Sequence, residues 1–135
     1  MADFILKEID QIGVLLRGIL RRLHLASPES SDTQTALTKV ELVENLGIDI
    51  DTLLDRSDFI EVLITEYHFD ENQLELFAEV LADMAFSAET AEDQDHFGAA
   101  VSAIYKHQDA HKATPSINRF YILEELVRLK TQREK

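Results

Sequence analysis

Apolar side chains recur at every third or fourth position along most of this chain, and that period is typical of helices that bury one face. The N-terminus shows it best, where the steps alternate between four and three residues: Ile5, Ile9, Ile12, Leu16, Ile19 and Leu23. Only 4 glycines and 2 prolines occur among 135 residues, so few positions interrupt a helix. The pattern predicts an all-α fold of six to seven helices in one domain, residues 1–135.

Interruptions of this pattern predict how the domain is organised. Residues 1–24 form an N-terminal amphipathic helix, and the Ser-, Asp- and Thr-rich stretch 26–35, which contains Pro28, forms a mobile loop. Residues 36–135 form a body of antiparallel helical hairpins, because short connections make consecutive helices neighbours. Within the body we expect helices, with a turn or two at 49–55, over these ranges: 36–45, 57–68, 70–85, 96–110 and 117–133.

Several caps and inward-facing positions also follow from the sequence. Ser57 and Asp70 are expected as helix N-caps, and Gly47 suits a left-handed C-terminal cap. The clearest amphipathic stripe belongs to the helix after Asp70 and comprises Leu74, Phe77, Leu81, Met84 and Ala88. The last helix is expected to bury Phe120, Ile122, Leu123, Leu126 and Leu129, and the helix at 36–45 uses Leu37, Val40 and Leu42 or Val43.

Charge is distributed unevenly along the chain, whose formal net charge is −13. Residues 25–118 hold 20 acidic and 4 basic side chains, whereas residues 1–24 sum to +1 and residues 119–135 to +2. An acidic body repels phosphate backbones, so we predict no nucleic-acid partner and favour a basic protein partner. The chain has no cysteine and no apolar run long enough for a signal or a membrane span, which together favour the cytoplasm.

Two histidines have the spacing of ligands in helical zinc sites. His107 and His111 are four residues apart, which brings both imidazoles to one side of a helix. Two ligands do not complete a site, and the favoured interpretation is that both rings lie at the C-terminal end of a helix, where positive charge is stabilised. The prediction is therefore no metal, no cofactor and no catalytic residue. A small metal-assisted hydrolase that uses His107 and His111 stays as the alternative.

Four carboxylates form a ladder with a step of four residues: Glu71, Glu75, Glu79 and Asp83. Like charges at this spacing cost a helix about 0.2–0.5 kcal/mol per pair. The ladder is either a solvated helix face or a docking strip for a basic partner or for the basic C-terminal helix of the same chain.

The N-terminal helix has two further interpretations. Its apolar stripe could form a homodimer seam through residues 1–24. Alternatively Arg17, Arg21 and Arg22 beside this stripe could attach the helix to an anionic membrane surface. Asp3, Glu8 and Asp10 weaken that attraction, so the sequence favours no membrane partner.

Residues 77–129 resemble a degenerate tetratricopeptide-type hairpin in their small Ala99 and Ala103, the pair Ile104–Tyr105, and Pro115 before a new helix. That resemblance implies right-handed stacking of hairpins.

The whole chain, especially 3–13 and 116–126, is also similar to a family of small acidic bacterial proteins of uncharacterised function. This second resemblance implies a bacterial cytoplasmic setting and transfers no site residue. We predict a non-catalytic protein–protein interaction or scaffold module.

Overall fold

The computed structural model describes residues 2–25, 31–111 and 117–133, and the side chains of all of these except 2–10, 31, 32 and 133. Within these ranges the chain forms seven α-helices and no strand, which confirms the predicted all-α class. The helices are α1 (Ala2–Leu25), α2 (Ser31–Leu46), α3 (Ile50–Leu54), α4 (Phe59–Thr65), α5 (Glu71–Phe86), α6 (Ala91–Ala110) and α7 (Ile117–Arg133).

Helix α2 begins earlier than predicted, so residues 31–35 of the expected loop 26–35 are helical. The reason is a tertiary contact. Arg22 of α1 donates from Nε to Gln34 (2.7 Å) and from Nη2 to Thr38 (2.6 Å), and its Nη1 pairs with Glu41. These bonds hold a polar first turn that its local sequence favours only weakly. Residues 26–30 lie outside the described residues.

Helix α6 also begins earlier, at Ala91 instead of residue 96. The side chain of Thr90 caps it by accepting the backbone N–H of Asp93 at 3.1 Å. Glu92 and Asp93 lie in the first turn, where carboxylates are stabilised by the positive end of the helix dipole. The acidic stretch that looked like a connection is therefore the start of the helix.

The predicted caps are confirmed at two of three positions. Asp70 caps α5 in a capping box with Gln73, with bonds of 2.8 and 2.7 Å in the two directions. Gly47 ends α2 with a φ of +72°, the left-handed conformation that glycine adopts without strain. Ser57 is wrong as an N-cap, because α4 begins after Asp58.

The core is built around α5, in which 9 of 16 residues are buried. They include the predicted Leu74, Phe77, Leu81 and Met84. Helices α1, α6 and α7 all contact α5, and the small side chains of α5 allow this close approach. These small residues are Ala78, Ala82 and Ala85, all fully buried.

The second half of the chain is an antiparallel hairpin followed by a closing helix, as predicted. Gln108, near the end of α6, donates its Nε2 to the carbonyl of Glu71 at the start of α5 (3.1 Å). Arg119, near the start of α7, bonds the carbonyl of Tyr105 in α6 (3.2 Å). Farther along α7, Leu126 lies beside Gly98 of α6, so α6 and α7 run in opposite directions. The right-handed stacking of a tetratricopeptide array stays a prediction.

Helix α1 uses the described part of its apolar stripe within the chain. Leu16 and Ile19 are fully buried and Leu20 nearly so, and α1 packs along α5. The side chains of Ile5 and Ile9 lie outside the described residues. A dimer seam through residues 1–24 therefore stays a prediction, and from residue 12 onward the stripe belongs to the core.

We predict that Leu81→Ala lowers the free energy of unfolding by about 3–5 kcal/mol, because Leu81 is fully buried in α5 and truncation leaves a cavity. Val14→Ala, at an exposed position of α1, serves as the control and should change stability by less than about 0.5 kcal/mol. Urea unfolding followed by circular dichroism measures both. Equal losses in the two variants would contradict the central place of α5.

Candidate functional site

His107 and His111 lie side by side on α6, as their spacing predicts. Their ring centroids are 4.2 Å apart, and His111 Nδ1 lies 2.8 Å from the carbonyl oxygen of His107. His111 thus uses one ring nitrogen for its own helix. No group of three or more His, Cys, Asp or Glu side chains with a geometry suited to a metal ion occurs among the described residues. The pair therefore has no third ligand in the part of the chain that is described.

The carboxylate ladder on α5 runs from solvent into the structure. Glu71 is exposed, whereas Glu75, Glu79 and Asp83 are partly buried. Asn118 of α7 donates its Nδ2 to Glu79 (2.8 Å), and His24 of α1 pairs with Asp83 (2.9 Å). The inner half of the ladder therefore contacts helices of the same chain, one of them α7.

Asp83 is the most perturbed carboxylate of the ladder. Burial raises its pKa above the usual range, and the nearby Glu79 adds to this increase, whereas His24 opposes it. The Asp83 carboxylate joins the end of α1 to α5 through His24, and burying its negative charge costs free energy. It is a structural contact that responds to pH.

Arg119 fixes the start of α7 to α6. Only 8% of the residue is exposed; its Nη2 contacts Asp109 (2.5 Å), and the guanidinium lies over the ring of Tyr105, 4.8 Å from the centroid. A buried arginine needs such partners, because an unpaired charge in the interior is costly. Sequence reasoning did not single out this residue, since one arginine in a basic helix carries no recognisable signal.

Tyr105 is buried beneath Arg119 and next to the ladder. Burial raises the pKa of its phenol, and Glu79 and Glu75 raise it further. Its hydroxyl makes no hydrogen bond within the described residues. The phenol therefore stays protonated at physiological pH and offers no base.

The outward face of α7, defined as Ile117, Phe120, Tyr121 and Val127, is the largest exposed apolar feature on a single described helix. These side chains are 65–73% exposed. At about 100° per residue, all four lie within about 60° of Glu124 around the helix axis. They therefore lie on one side of the helix along about three turns, with the exposed Glu124 between Tyr121 and Val127.

Phe120 was expected in the core, and this expectation is wrong. The residues of α7 that pack inward are Ile122, Leu123 and Leu126. Phe120 lies about 60° around the helix axis from Leu123 and about 120–160° from Leu126 and Ile122, and it is 70% exposed. Helix α7 is thus apolar on two sides, and the helices beside it cover only one. The sequence of α7 contains more apolar residues than one buried stripe requires, and this excess was the sign of a second apolar side.

A groove between α6 and α7 borders this outward face. Its volume is about 340 Å³, and small side chains form one of its walls. Val127 belongs to both features. The groove is lined by Gln94, Asp95, Gly98, Ala99, Ser102, Leu126, Val127 and Lys130.

Helix α2 carries a smaller exposed strip. Of its predicted apolar positions, Leu42 is buried, whereas Leu37, Val40 and Val43 are 40–51% exposed. The reason is that Thr38 and Leu42 make the inward contacts of α2. This strip has no aromatic side chain and is less exposed than that of α7.

Comparisons with known proteins add no relative: no protein-family model, no curated protein and no solved structure matches the chain. Among the described residues, no helix combines the length and apolarity needed to cross a membrane. The site must therefore be interpreted from its own geometry.

We predict that Arg119→Ala lowers the free energy of unfolding by about 1–3 kcal/mol, because it removes a buried donor and its bonds to α6. Arg128→Ala is the matched control. Arg128 lies in the same helix, is exposed and pairs with Glu125, so its loss should cost clearly less than the loss of Arg119. Thermal unfolding compares the variants, and hydrogen exchange should show faster opening of α7 only for Arg119→Ala. Equal behaviour would contradict the attachment.

We also predict a pH-dependent gain of stability in Asp83→Asn. Because the folded pKa of Asp83 is raised, the folded state binds its proton more tightly than the unfolded state does. The free energy of unfolding therefore falls as pH rises from the ordinary carboxyl range near about 4 through the raised folded pKa. At neutral pH the variant should be more stable than wild type, and in acid the difference should vanish.

The control for Asp83→Asn is Glu61→Gln, which removes one negative charge from an exposed position of α4. Any gain from lowering the net charge of the whole protein appears in both variants. Urea unfolding between pH 3 and pH 8 measures the difference between them. A constant difference across this range would contradict the assignment to Asp83.

Proposed function

We propose that this protein is a non-catalytic protein–protein interaction module whose docking surface is the outward face of α7. The observation that carries the proposal is the exposure of Phe120 and Tyr121, at 70% and 66%, within one apolar strip. Aromatic side chains are enriched at the centres of protein interfaces, because they bury a large area at a low cost in conformational entropy.

The size of the strip supports this interpretation. The four exposed side chains present roughly 600 Å² of mainly apolar surface, given that a large aromatic residue contributes about 150–250 Å². Exposed apolar patches of a few hundred Å² often mark binding sites, and Ile117, Phe120 and Tyr121, which precede Glu124, make up most of this area. The strip is also rigid at its start, where Arg119 bonds to α6.

The positions of the strip give a second argument. Phe120 and Tyr121 lie away from the buried face of α7, so the fold itself gains little from their apolar character. Serine at these positions would leave the core intact and make the surface more soluble. Large apolar residues that the fold does not need are best accounted for by a bound protein. The basic partner predicted from the sequence would contact the acidic remainder of the surface, and that partner stays a prediction.

The test is photo-crosslinking in living cells that produce the protein naturally. A benzophenone amino acid at Tyr121 should give a discrete protein adduct, whereas the same group at Glu61, exposed on α4, should not. The double substitution Phe120→Ser and Val127→Ser should abolish the adduct while changing the free energy of unfolding by less than about 1 kcal/mol. Identical adducts from both positions, or none from Tyr121, would exclude α7 as the docking surface.

A further inference from the structure

We infer that the outward face of α7 binds the same face of a second copy of this chain, with the two α7 helices packed antiparallel around a two-fold axis near Glu124. This inference rests on the proposed docking function and names its partner. It differs from a dimer through α1, because the described part of the α1 stripe is buried within the chain.

The order of side chains along α7 fits an antiparallel pair. Bulky residues occupy the first half of the face, with Phe120 and Tyr121 next to each other. The second half carries smaller or extended side chains, Val127 and Arg128. With the axis near Glu124, Phe120 and Tyr121 lie opposite Val127 and Arg128 of the second copy. Large side chains then meet small ones, and the helix axes can approach to the usual 8–10 Å, an order-of-magnitude spacing for packed helices.

Arg128 gives this register a polar contact. In the single chain it is exposed and pairs with Glu125 through Nε at 2.9 Å. In the antiparallel pair its guanidinium lies opposite the aromatic rings of the second copy. An arginine over an aromatic ring is attractive, and the contact occurs twice by symmetry. In the antiparallel pair, the half of each α7 face that carries the aromatic rings thus contacts the half of the other face that carries Arg128.

The area is sufficient for a specific dimer. The apolar strip and its polar neighbours Glu124, Arg128 and Thr131 together present roughly 800 Å² per copy, about what one side of a standard-sized interface buries. The groove that begins at Val127 extends this surface toward α6.

Charge also favours this face over the rest of the surface. Two copies of a protein with a net charge of −13 repel each other, and the acid is concentrated in residues 25–118. Residues 119–135 sum to +2, and the face itself carries one acid, Glu124, and one base, Arg128. Contact through α7 therefore brings together the segment of each copy with the most positive net charge. One unfavourable contact remains, because the carboxylates of the two Glu124 side chains lie close to each other at the two-fold axis and repel.

The first test is the mass of the full-length chain by light scattering and sedimentation between 5 and 200 µM protein. Wild type should be a concentration-dependent dimer. Phe120→Ser with Tyr121→Ser should raise the dissociation constant by more than about a hundredfold, since two central aromatic anchors are lost. Glu124→Gln should lower it by roughly three- to tenfold, because one like-charge contact disappears. Circular dichroism verifies that each variant is folded.

The second test determines the orientation, and the absence of native cysteine makes it unambiguous. Under mild oxidation, Glu124→Cys should form a disulfide-linked dimer across the axis. Phe120→Cys and Val127→Cys should each crosslink poorly alone and well when mixed, because these two positions lie on the same edge of the contact and face each other only in an antiparallel pair. Glu61→Cys, exposed on α4, is the control.

The outcomes separate this inference from the proposed function. A monomer at 200 µM, or a dimer that persists in the Phe120→Ser, Tyr121→Ser variant, overturns self-association through α7. If the benzophenone at Tyr121 still captures a different protein, the docking function stands with another partner. If the only adduct is a second copy and the cysteine pairs crosslink as expected, both proposals are supported. Efficient crosslinking of Phe120→Cys alone indicates parallel helices and overturns the antiparallel register.

Discussion

The burial of α5 is the constraint on which the rest of the structure depends. Helix α5 has apolar residues around more than half of its circumference, so one neighbour cannot cover it. Helices α1, α6 and α7 each cover one side, and Ala78, Ala82 and Ala85 let them approach closely. Each surrounding helix needs only one apolar stripe for this purpose. Any further apolar residue on its outer side must therefore have another reason, and α7 is the case where that surplus is largest.

Local sequence predicts those parts of the fold that local physics decides. The three- to four-residue period gave the all-α class, and the cap at Asp70 and the glycine at Gly47 depend only on nearby backbone groups. The starts of α2 and α6 were missed for different reasons. The first turns of α2 are polar and depend on Arg22, which comes from another helix. The start of α6 depends on Thr90, a cap hidden within an acidic stretch.

The candidate surface was harder to predict than the core. Helix α7 carries two apolar faces, and which one turns inward depends on where α5 and α6 lie in space. A sequence pattern alone therefore grouped Phe120 with the buried residues. The spacing of His107 and His111 correctly indicated that their rings are neighbours, because that relation is local to one helix. The contacts of the ladder with Asn118 and His24 join distant segments, and no periodicity could reveal them.

The attachment of α7 through Arg119 and Tyr105 has a thermodynamic consequence. Arg119 finds its partners only when α6 is folded, so the outward strip exists in its rigid form only on an intact core. A ligand of that strip binds the native state and not the unfolded chain, and by mass action it adds to the stability of the whole domain. Under the proposed docking function, occupancy and folding are thus linked equilibria: the domain would become more resistant to heat and proteolysis as the bound partner becomes more abundant.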